Sequence, residues 1–388
     1  MIDRLRIMPV MEHDARFIHL EILERLKMPP RLLAHLTLVH DAETKVKIDN
    51  SAFFVDKFRP MPYNLKLCPR LTESAGRKVV ENFVKIEYNL YIMLAKPFIK
   101  WVGGKSQLLE EIREKYPSKI EKYCEPFVGG GAVLFDVLNT FQPKEVLIND
   151  INKELINTYS QIKNNCEEMI SQLLELQNIY KNYSLEENKE FFYEKRNRYN
   201  ELKINGNEAE NLEKAVLFIF LNKTCFNGLY RVNSKGLFNV PFNNAKNPLL
   251  CDEENLRVCS KLLQNVEMKV GDYKECKSFI DDKTFVYIDP PYRPLTQTAA
   301  FTSYSENGFS DKEQIELGNF ITEISNKGAK VLASNSDPKN ANENDNFFDD
   351  LYSHFEIERV SASRMINSNA KKRGAINELL ISNIASVF

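Results

Sequence analysis

Several things are missing from this chain, and each absence removes a class of protein. No apolar run approaches the ~18–20 residues that a membrane span needs. The amino terminus lacks the basic-then-apolar pattern of a secretory signal. The seven cysteines, at 68, 124, 166, 225, 251, 259 and 276, contain no C-x-x-C pair. An odd, scattered set reads as reduced thiols in a cytoplasmic protein, with neither a disulfide framework nor a zinc knuckle. Excess charge is missing too: the formal net charge is −2 over 388 residues, so nucleic-acid binding would have to come from local basic patches. The G-x-G-x-x-G loop that cradles a dinucleotide pyrophosphate is not present. No internal repeat or low-complexity tract is visible. The apolar fraction of 43% and charged fraction of 27% are those of a globular protein, long enough for more than one domain.

The first 94 residues differ from the rest. They hold His13, His19, His35 and His40, and no further histidine occurs until His354. Residues 17–39 have a helical pattern, with Leu20, Leu23, Leu26, Leu32, Leu33 and Leu36 as apolar faces. His13-Asp14 and His40-Asp41 faintly resemble the opening of an HD-type metal phosphohydrolase. The later His-Asp and Asp ligands of that family have no counterpart, and a metal site needs several converging ligands. A helical appendage without metal is expected. Residues 42–94 show no sustained period and suggest no role. Met93 sits where the next recognisable unit could begin.

Beyond residue 94 the chain alternates strands, turns and helices. Ile99-Lys100-Trp101-Val102-Gly103-Gly104-Lys105 leads into a helical run over 106–116; glycines and a lysine at a helix start favour an anion. Tyr123-Cys124-Glu125-Pro126-Phe127-Val128-Gly129-Gly130-Gly131 reads as strand and glycine loop, and the apolar run 132–138 as the helix that follows. The strand 145–148 ends in Asn149-Asp150, about 20 residues past the glycine loop. An acidic residue there is placed to hold ribose hydroxyls, which favours a ribose ligand without a pyrophosphate, such as S-adenosylmethionine. Asp150 as a helix N-cap is the competing reading.

Residues 153–221 are helical in pattern, with aromatic insertions such as Phe191, Phe192, Tyr193 and Tyr199. Residues 226–242 read as a hairpin whose turn is Asn233-Ser234-Lys235-Gly236. Its aromatics are interleaved with Asn, Arg and Lys, the mixture a DNA groove reader carries. A strand at 267–270 ends at Gly271-Asp272. The apolar strand Thr284-Phe285-Val286-Tyr287-Ile288 then ends in Asp289-Pro290-Pro291-Tyr292. The prolines stiffen this turn, leaving the Asp289 carboxylate and the Pro290 carbonyl as rigid acceptors beside the flat Tyr292 ring. Two acceptors and a stacking plate suit a planar group bearing an NH2, such as a nucleobase amine. A helix over 312–326, a strand over 330–334, a helix near 346–353 and strands at 355–360 and 376–382 follow, with a basic turn at 371–374. Such an order argues an α/β domain with a mostly parallel sheet.

Over about residues 95–383 the chain resembles the Dam-type adenine-N6 DNA methyltransferases, most closely the Dpn-type, GATC-modifying enzymes. The resemblance rests on Lys-Trp-Val-Gly-Gly-Lys (100–105), Glu-Pro-Phe-Val-Gly-Gly-Gly (125–131), Asn-Asp (149–150), Phe-Asn-Gly-Leu-Tyr-Arg (226–231), Asp-Pro-Pro-Tyr (289–292) and Ala-Phe-Thr-Ser-Tyr (300–304), in that order. It implies a Rossmann-like, S-adenosylmethionine-dependent methyltransferase domain over 95–388, with a helical and β-hairpin DNA target-recognition region inserted at about 153–265. Residues 1–94 would be an extra extension. It further implies that Trp101, Lys105, Phe127, Gly129, Asp150, Asp272 and Asp289 surround the cofactor. Asp289, Pro290, Pro291 and Tyr292 would hold the target adenine, and Lys100, Phe226, Asn227, Leu229, Arg231 and Pro241 would lie against DNA. Phe226 is a departure, since some relatives carry Tyr there.

The implied reaction moves a methyl group to adenine N6 in duplex DNA, at GATC, after base flipping and without a metal. The partners implied are double-stranded DNA and, in a restriction-modification setting, a cognate endonuclease; a solitary modification enzyme is the other setting, and a monomer suffices. Methylation of RNA or of a protein glutamine is a rival, but the glutamine enzymes usually begin the tetrapeptide with Asn. A non-catalytic DNA-binding module would not need both the cofactor and the catalytic motifs.

Overall fold

A computed structural model describes residues 94–293, 309–363 and 375–384, together with the backbone of 39–40 and 46–47. The chain divides into two compact units, Met1–Asn64 and Leu65–Phe388. In the first, Val39–His40 pairs antiparallel with Val46–Lys47. The rest of the helix expected at 17–39, the other histidines of the extension, and the Ala300–Tyr304 and 371–374 segments lie outside the described residues.

The second unit is organised on a seven-stranded sheet. Its strands are β1 (Lys122–Glu125), β2 (Glu145–Asp150), β3 (Val266–Val270), β4 (Thr284–Ile288), β5 (Lys330–Ser336), β6 (Glu356–Ser363) and β7 (Ala375–Ser382). They lie in the order β3-β2-β1-β4-β5-β7-β6. The first five are mutually parallel, and β7 runs antiparallel to both β5 and β6.

Every residue of β4 is buried, as a near-continuous apolar run demands when both sheet faces are covered. Strand alternation sends Phe285 and Tyr287 into one core and Val286 and Ile288 into the other. On the first face pack α1 (Leu109–Glu114), α2 (Ala132–Phe141), α3 (Lys153–Asn164) and α7 (Glu253–Leu263). On the second pack α8 (Asp311–Asn326) and α9 (Phe347–Leu351). No helix among the described residues is long and apolar enough to cross a membrane.

The stretch read as helical at 153–221 comprises α3, α4 (Cys166–Asn182), α5 (Leu185–Asn205) and α6 (Asn211–Thr224). Asn152 caps α3 by accepting from the backbone N–H of Glu154 and Leu155. Ser184 and Glu187 close a reciprocal capping box at the start of α5. The middle of α6 is buried on all sides, which its run Ala215–Leu221 requires.

Three expectations need adjustment. The helix at 106–116 is a single 3-10 turn, Lys105–Gln107, followed by α1, because Leu108 leaves helical geometry. The hairpin at 226–242 opens as a 3-10 turn, Phe226–Gly228, with Asn227 at φ 55. It is paired only at Cys225–Phe242 and Val232–Phe238. Helix α7 was not expected; its charged residues obscure the apolar stripe Leu256, Cys259, Leu263.

Candidate active site and nucleic-acid interface

The strand order reverses between β1 and β4, so the chain leaves these neighbours in opposite directions across the sheet. A crevice forms beyond their carboxyl ends, where open α/β sheets bind ligands. β1 delivers the glycine loop 126–131 to that crevice, and β4 delivers Asp289–Tyr292.

Both oxygens of Asp289 are engaged. Ser334 Oγ donates to Oδ1 at 3.0 Å, and Lys105 Nζ donates to Oδ2 at 2.8 Å. Ser334 stands at the end of β5, where the parallel register sets Ala333 beside Ile288. Its hydroxyl also meets the buried Tyr287 hydroxyl at 3.0 Å. Lys105 is 3% exposed and donates to the Gly103 carbonyl at 2.6 Å. Its ammonium lies 4.9 Å above the Tyr292 ring and 3.9 Å from Glu378 on β7. Tyr292 donates its hydroxyl to the same Glu378 oxygen at 2.7 Å. The Pro291 carbonyl accepts from Gln314 on α8 at 3.2 Å. The tetrapeptide is therefore tied to β5, β7, α8 and the 3-10 turn at Lys105.

The glycine loop and Asp150 form a second part of the crevice. Gly129 N donates to Asp150 Oδ2 at 3.1 Å and Asn152 N to Oδ1 at 2.9 Å. The N-cap of α3 is Asn152, which disposes of that competing reading for Asp150. Each Asp150 oxygen accepts one backbone donor and keeps a further lone pair for a hydroxyl. A Cβ on Gly129 would stand 2.8 Å from the Trp101 indole, and one on Gly130 would stand 2.9 Å from Trp101 Cβ. The loop is glycine because the indole lies on it. Beside Asp150, Ile151 is 76% exposed and Val270 51% exposed, an apolar pair open to solvent. Phe127 packs on Tyr273 with ring centroids 5.5 Å apart. Asp272 caps the turn Tyr273–Cys276 by accepting from Lys274 N at 2.9 Å. Asn149 links the Pro126 and Gly271 carbonyls at 3.1 and 3.0 Å. A carboxylate with spare lone pairs, a loop stripped of Cβ atoms and exposed apolar side chains fit a nucleoside.

Burial dominates the electrostatics. It pushes the Glu378 carboxyl above its ordinary range, against the Lys105 charge and the Tyr292 hydrogen bond. Burial likewise raises Asp150, opposed by its backbone donors. Glu125, 2% exposed at the end of β1, is raised well above the ordinary range by burial, and the nearby Asp289 charge adds to it. Tyr123 donates to Glu125 at 2.7 Å. Burial and the two neighbouring carboxylates hold Tyr292 neutral.

The residues expected at a DNA surface share one patch. Asn222, buried at the end of α6, accepts from Lys100 N at 2.9 Å. It donates to the Lys100 and Gly228 carbonyls at 2.8 and 2.9 Å. A Cβ on Gly228 would strike the Lys100 stem at 2.7 Å, so the lysine lies along the Phe226–Gly228 turn. Phe226 is 52% exposed, and its N–H donates to the Pro241 carbonyl at 2.9 Å. Asn227, Arg231 and Pro241 are exposed and Leu229 is half-buried. Arg231 Nε donates to Asn239 Oδ1 at 2.8 Å. Tyr230 faces inward and stacks on Trp101 at 6.0 Å, joining this patch to the glycine loop.

Sequence reasoning missed Ser334, Glu378, Tyr287, Glu125 and Asn239. Signals existed for two of them. Ser334 is the polar end of an apolar strand next to Asp289, and Glu378 is an acid inside an apolar strand.

A mostly parallel sheet with a carboxylate and an aromatic ring at its switch point, beside a glycine loop and a second carboxylate, is the framework of an α/β enzyme. The model of the D12 class of N6 adenine-specific DNA methyltransferases matches residues 101–366, and the chain belongs to that family. It is 46% identical to the type II methyltransferase M.MjaIII of Methanocaldococcus jannaschii, over 75% of this chain and 100% of that protein. It is 38% identical to the type II methyltransferase M1.LlaDCHI of Lactococcus lactis subsp. cremoris, over 74% of this chain and 95% of that protein. To the DNA adenine methylase of Escherichia coli K12 it is 34% identical, over 74% and 94%.

Proposed function

We propose that this adenine-specific DNA methyltransferase modifies adenine N6 within duplex GATC, acting on a base flipped out of the helix. The observation that carries the reading is Asp289, fixed at the switch point by Lys105 and Ser334, with Tyr292 beside it. The adenine amine is a weak nucleophile because its lone pair is delocalised into the ring. It is also stacked within the duplex, and extruding it costs about a few kcal/mol. Stacking on Tyr292 offsets part of this, since a base–aromatic stack is worth ~1–3 kcal/mol. The Asp289 carboxylate and the Pro290 carbonyl accept the two N6 hydrogens, which localises the nitrogen lone pair. Catalysis is then positioning together with stabilisation of the positive charge that develops on N6.

The family implies S-adenosylmethionine as donor, and when bound it supplies an activated sulfonium methyl. Asp150 would hold its ribose hydroxyls and Gly129–Gly131 would admit it closely, with Trp101 bracing the loop, Phe127 and Asp272 at the rim, and Ile151 and Val270 against its base. Lys105 already meets three acceptors, so its part here is to hold Asp289 more than to bind the cofactor's carboxylate.

GATC as target is supported by the patch at 226–241. Arg231 is braced by Asn239 through its Nε side, and the Nη1–Nη2 edge suits guanine O6 and N7. Lys100 lies along the adjoining turn, and Phe226, Asn227, Leu229 and Pro241 supply stacking, polar and apolar contacts. GATC is palindromic, so a monomer can treat each strand in turn, with or without a cognate endonuclease. The test is transfer of a tritiated methyl group to duplexes that differ only in the central tetranucleotide. GATC is expected to be the preferred substrate, and equal transfer to unrelated tetranucleotides refutes the target.

A further inference from the structure

We propose that Glu378 is a positioning residue for methyl transfer: it orients the Tyr292 ring through the phenol and gives Lys105 a second acceptor while Asp289 takes the substrate amine. This rests on the reading that Asp289 and Tyr292 hold that amine. Glu378 lies on β7, 86 residues from Tyr292 in the chain, and both of its recorded partners belong to the site. Its neighbours across the strands are Ser336 and Val360, neither of which titrates. Among the described residues, the titratable and charged groups facing it are Lys105, Tyr292 and Asp289.

A phenol held at 2.7 Å from a carboxylate on a central strand cannot swing freely, so the ring plane on which a base would stack is set by β7. Lys105 sits 2.8 Å from Asp289 and 3.9 Å from Glu378. Each Asp289 oxygen accepts one donor and keeps a further lone pair for the amine, but the amine then shares the carboxylate charge that neutralises Lys105. A buried ammonium cannot be left unpaired without a large penalty. Lys105 donates to Gly103 and Asp289 and lies 3.9 Å from Glu378, so an ionised Glu378 keeps the lysine paired while Asp289 accepts the amine. Burial raises the Glu378 carboxyl, so its protonation begins above the ordinary carboxylate range and removes the negative charge beside Lys105.

The experiment compares full-length wild type and Glu378→Gln for cofactor dissociation constant, KM for a GATC duplex, and single-turnover transfer rate against pH. The glutamine keeps the length and an oxygen for the phenol but not the charge. The rate is expected to fall on the order of tenfold to a hundredfold, as for a small misplacement of reacting groups. The cofactor dissociation constant and DNA KM should stay within about threefold. Wild type should lose rate as pH falls through the Glu378 titration, while the variant, neutral throughout, should lack that acid limb. A variant with wild-type rate and the same acid limb overturns the proposal, as does a loss confined to cofactor or DNA affinity. Should Glu378→Gln fail to fold, Tyr292→Phe severs the same tether from the other side. A reduced rate with unchanged cofactor affinity is then expected, and an unchanged rate overturns the proposal. Asp289→Ala, which leaves no acceptor, separates this inference from the reading beneath it. If it is inactive while Glu378→Gln is normal, the role of Glu378 alone falls; if it is active, the assignment of the amine site falls.

Discussion

Asp289 is asked to do two things, accept a substrate amine and neutralise a buried lysine, and its substitutions should separate them. Asp289→Ala removes the partner of Lys105, whose side chain is 3% exposed. Loss of transfer should therefore come with a lower melting temperature, because the ammonium is left with Gly103 and the more distant Glu378. Asp289→Asn keeps one accepting oxygen and should fold better and transfer more than Asp289→Ala, yet less than wild type. Cofactor affinity, proposed to rest mostly on the glycine loop and Asp150, should survive in both. Methyl transfer, melting and cofactor titration check this, and retention by Asp289→Ala of more than about a tenth of wild-type kcat, a loss of only ~1.4 kcal/mol, would sink the mechanism. Glu125 gives a pH prediction. Its carboxyl is raised in the folded protein, so the native state binds the more protons between the ordinary carboxylate range and the raised value. Stability then falls as pH rises through that window. Glu125→Gln, still able to accept from Tyr123, should lose that decline. Its melting temperature relative to wild type should rise as pH climbs above the ordinary carboxylate range, and a constant difference would refute the buried titration.

Among the elements, the glycine loop is the most constrained. Gly131 has φ 72, and a Cβ there would collide with the Tyr159 hydroxyl and approach Phe135 at 3.3 Å. Gly131→Ala combines backbone strain with overpacking against two core rings, and each is worth ~1–3 kcal/mol. Thermal melting should show a clear loss, and an unchanged melting temperature would mean that the loop relaxes freely. The segment at 226–241, proposed to read DNA, offers a different test. If Arg231 reads a base, Arg231→Ala should cost ~1–3 kcal/mol and relax discrimination at one guanine. A uniform loss over all tetranucleotides, with a shallower salt dependence, would make it a phosphate contact instead. Strand β4 and the loops at both sides of the switch point could be read from sequence, because a buried strand and its turn are local. Helix α7 could not, since charged residues on its solvent side dilute the apolar pattern until the packing partner is known.

For the whole molecule, the 94 residues that precede the methyltransferase motifs are the open matter. M.MjaIII is matched over its full length by 75% of this chain, and all the site residues discussed lie beyond residue 99. A protein beginning at Met93 is proposed to remain folded and to methylate GATC duplexes at a rate comparable to the full chain. Circular dichroism and the tritium assay decide. A truncated protein that folds but is inactive would give the extension a part in DNA binding or assembly.

The chain by itself determined the local chemistry: an apolar strand that ends in Asp-Pro-Pro-Tyr, a glycine loop, an acid about 20 residues later, and aromatics interleaved with basic residues. Such features are contiguous, and their conformational preferences act over a few residues. Tertiary structure decided what each side chain does. Lys105, read as a ligand for an anion, is spent on a carboxylate 184 positions away. Ser334 and Glu378 enter the site only because β5 lies beside β4 and β7 beside β5, and the sheet order depends on which apolar faces are buried together. Two residues apart in sequence by dozens of positions leave no periodic trace of their contact. Hydrogen bonds of that kind become visible only when the strands are placed.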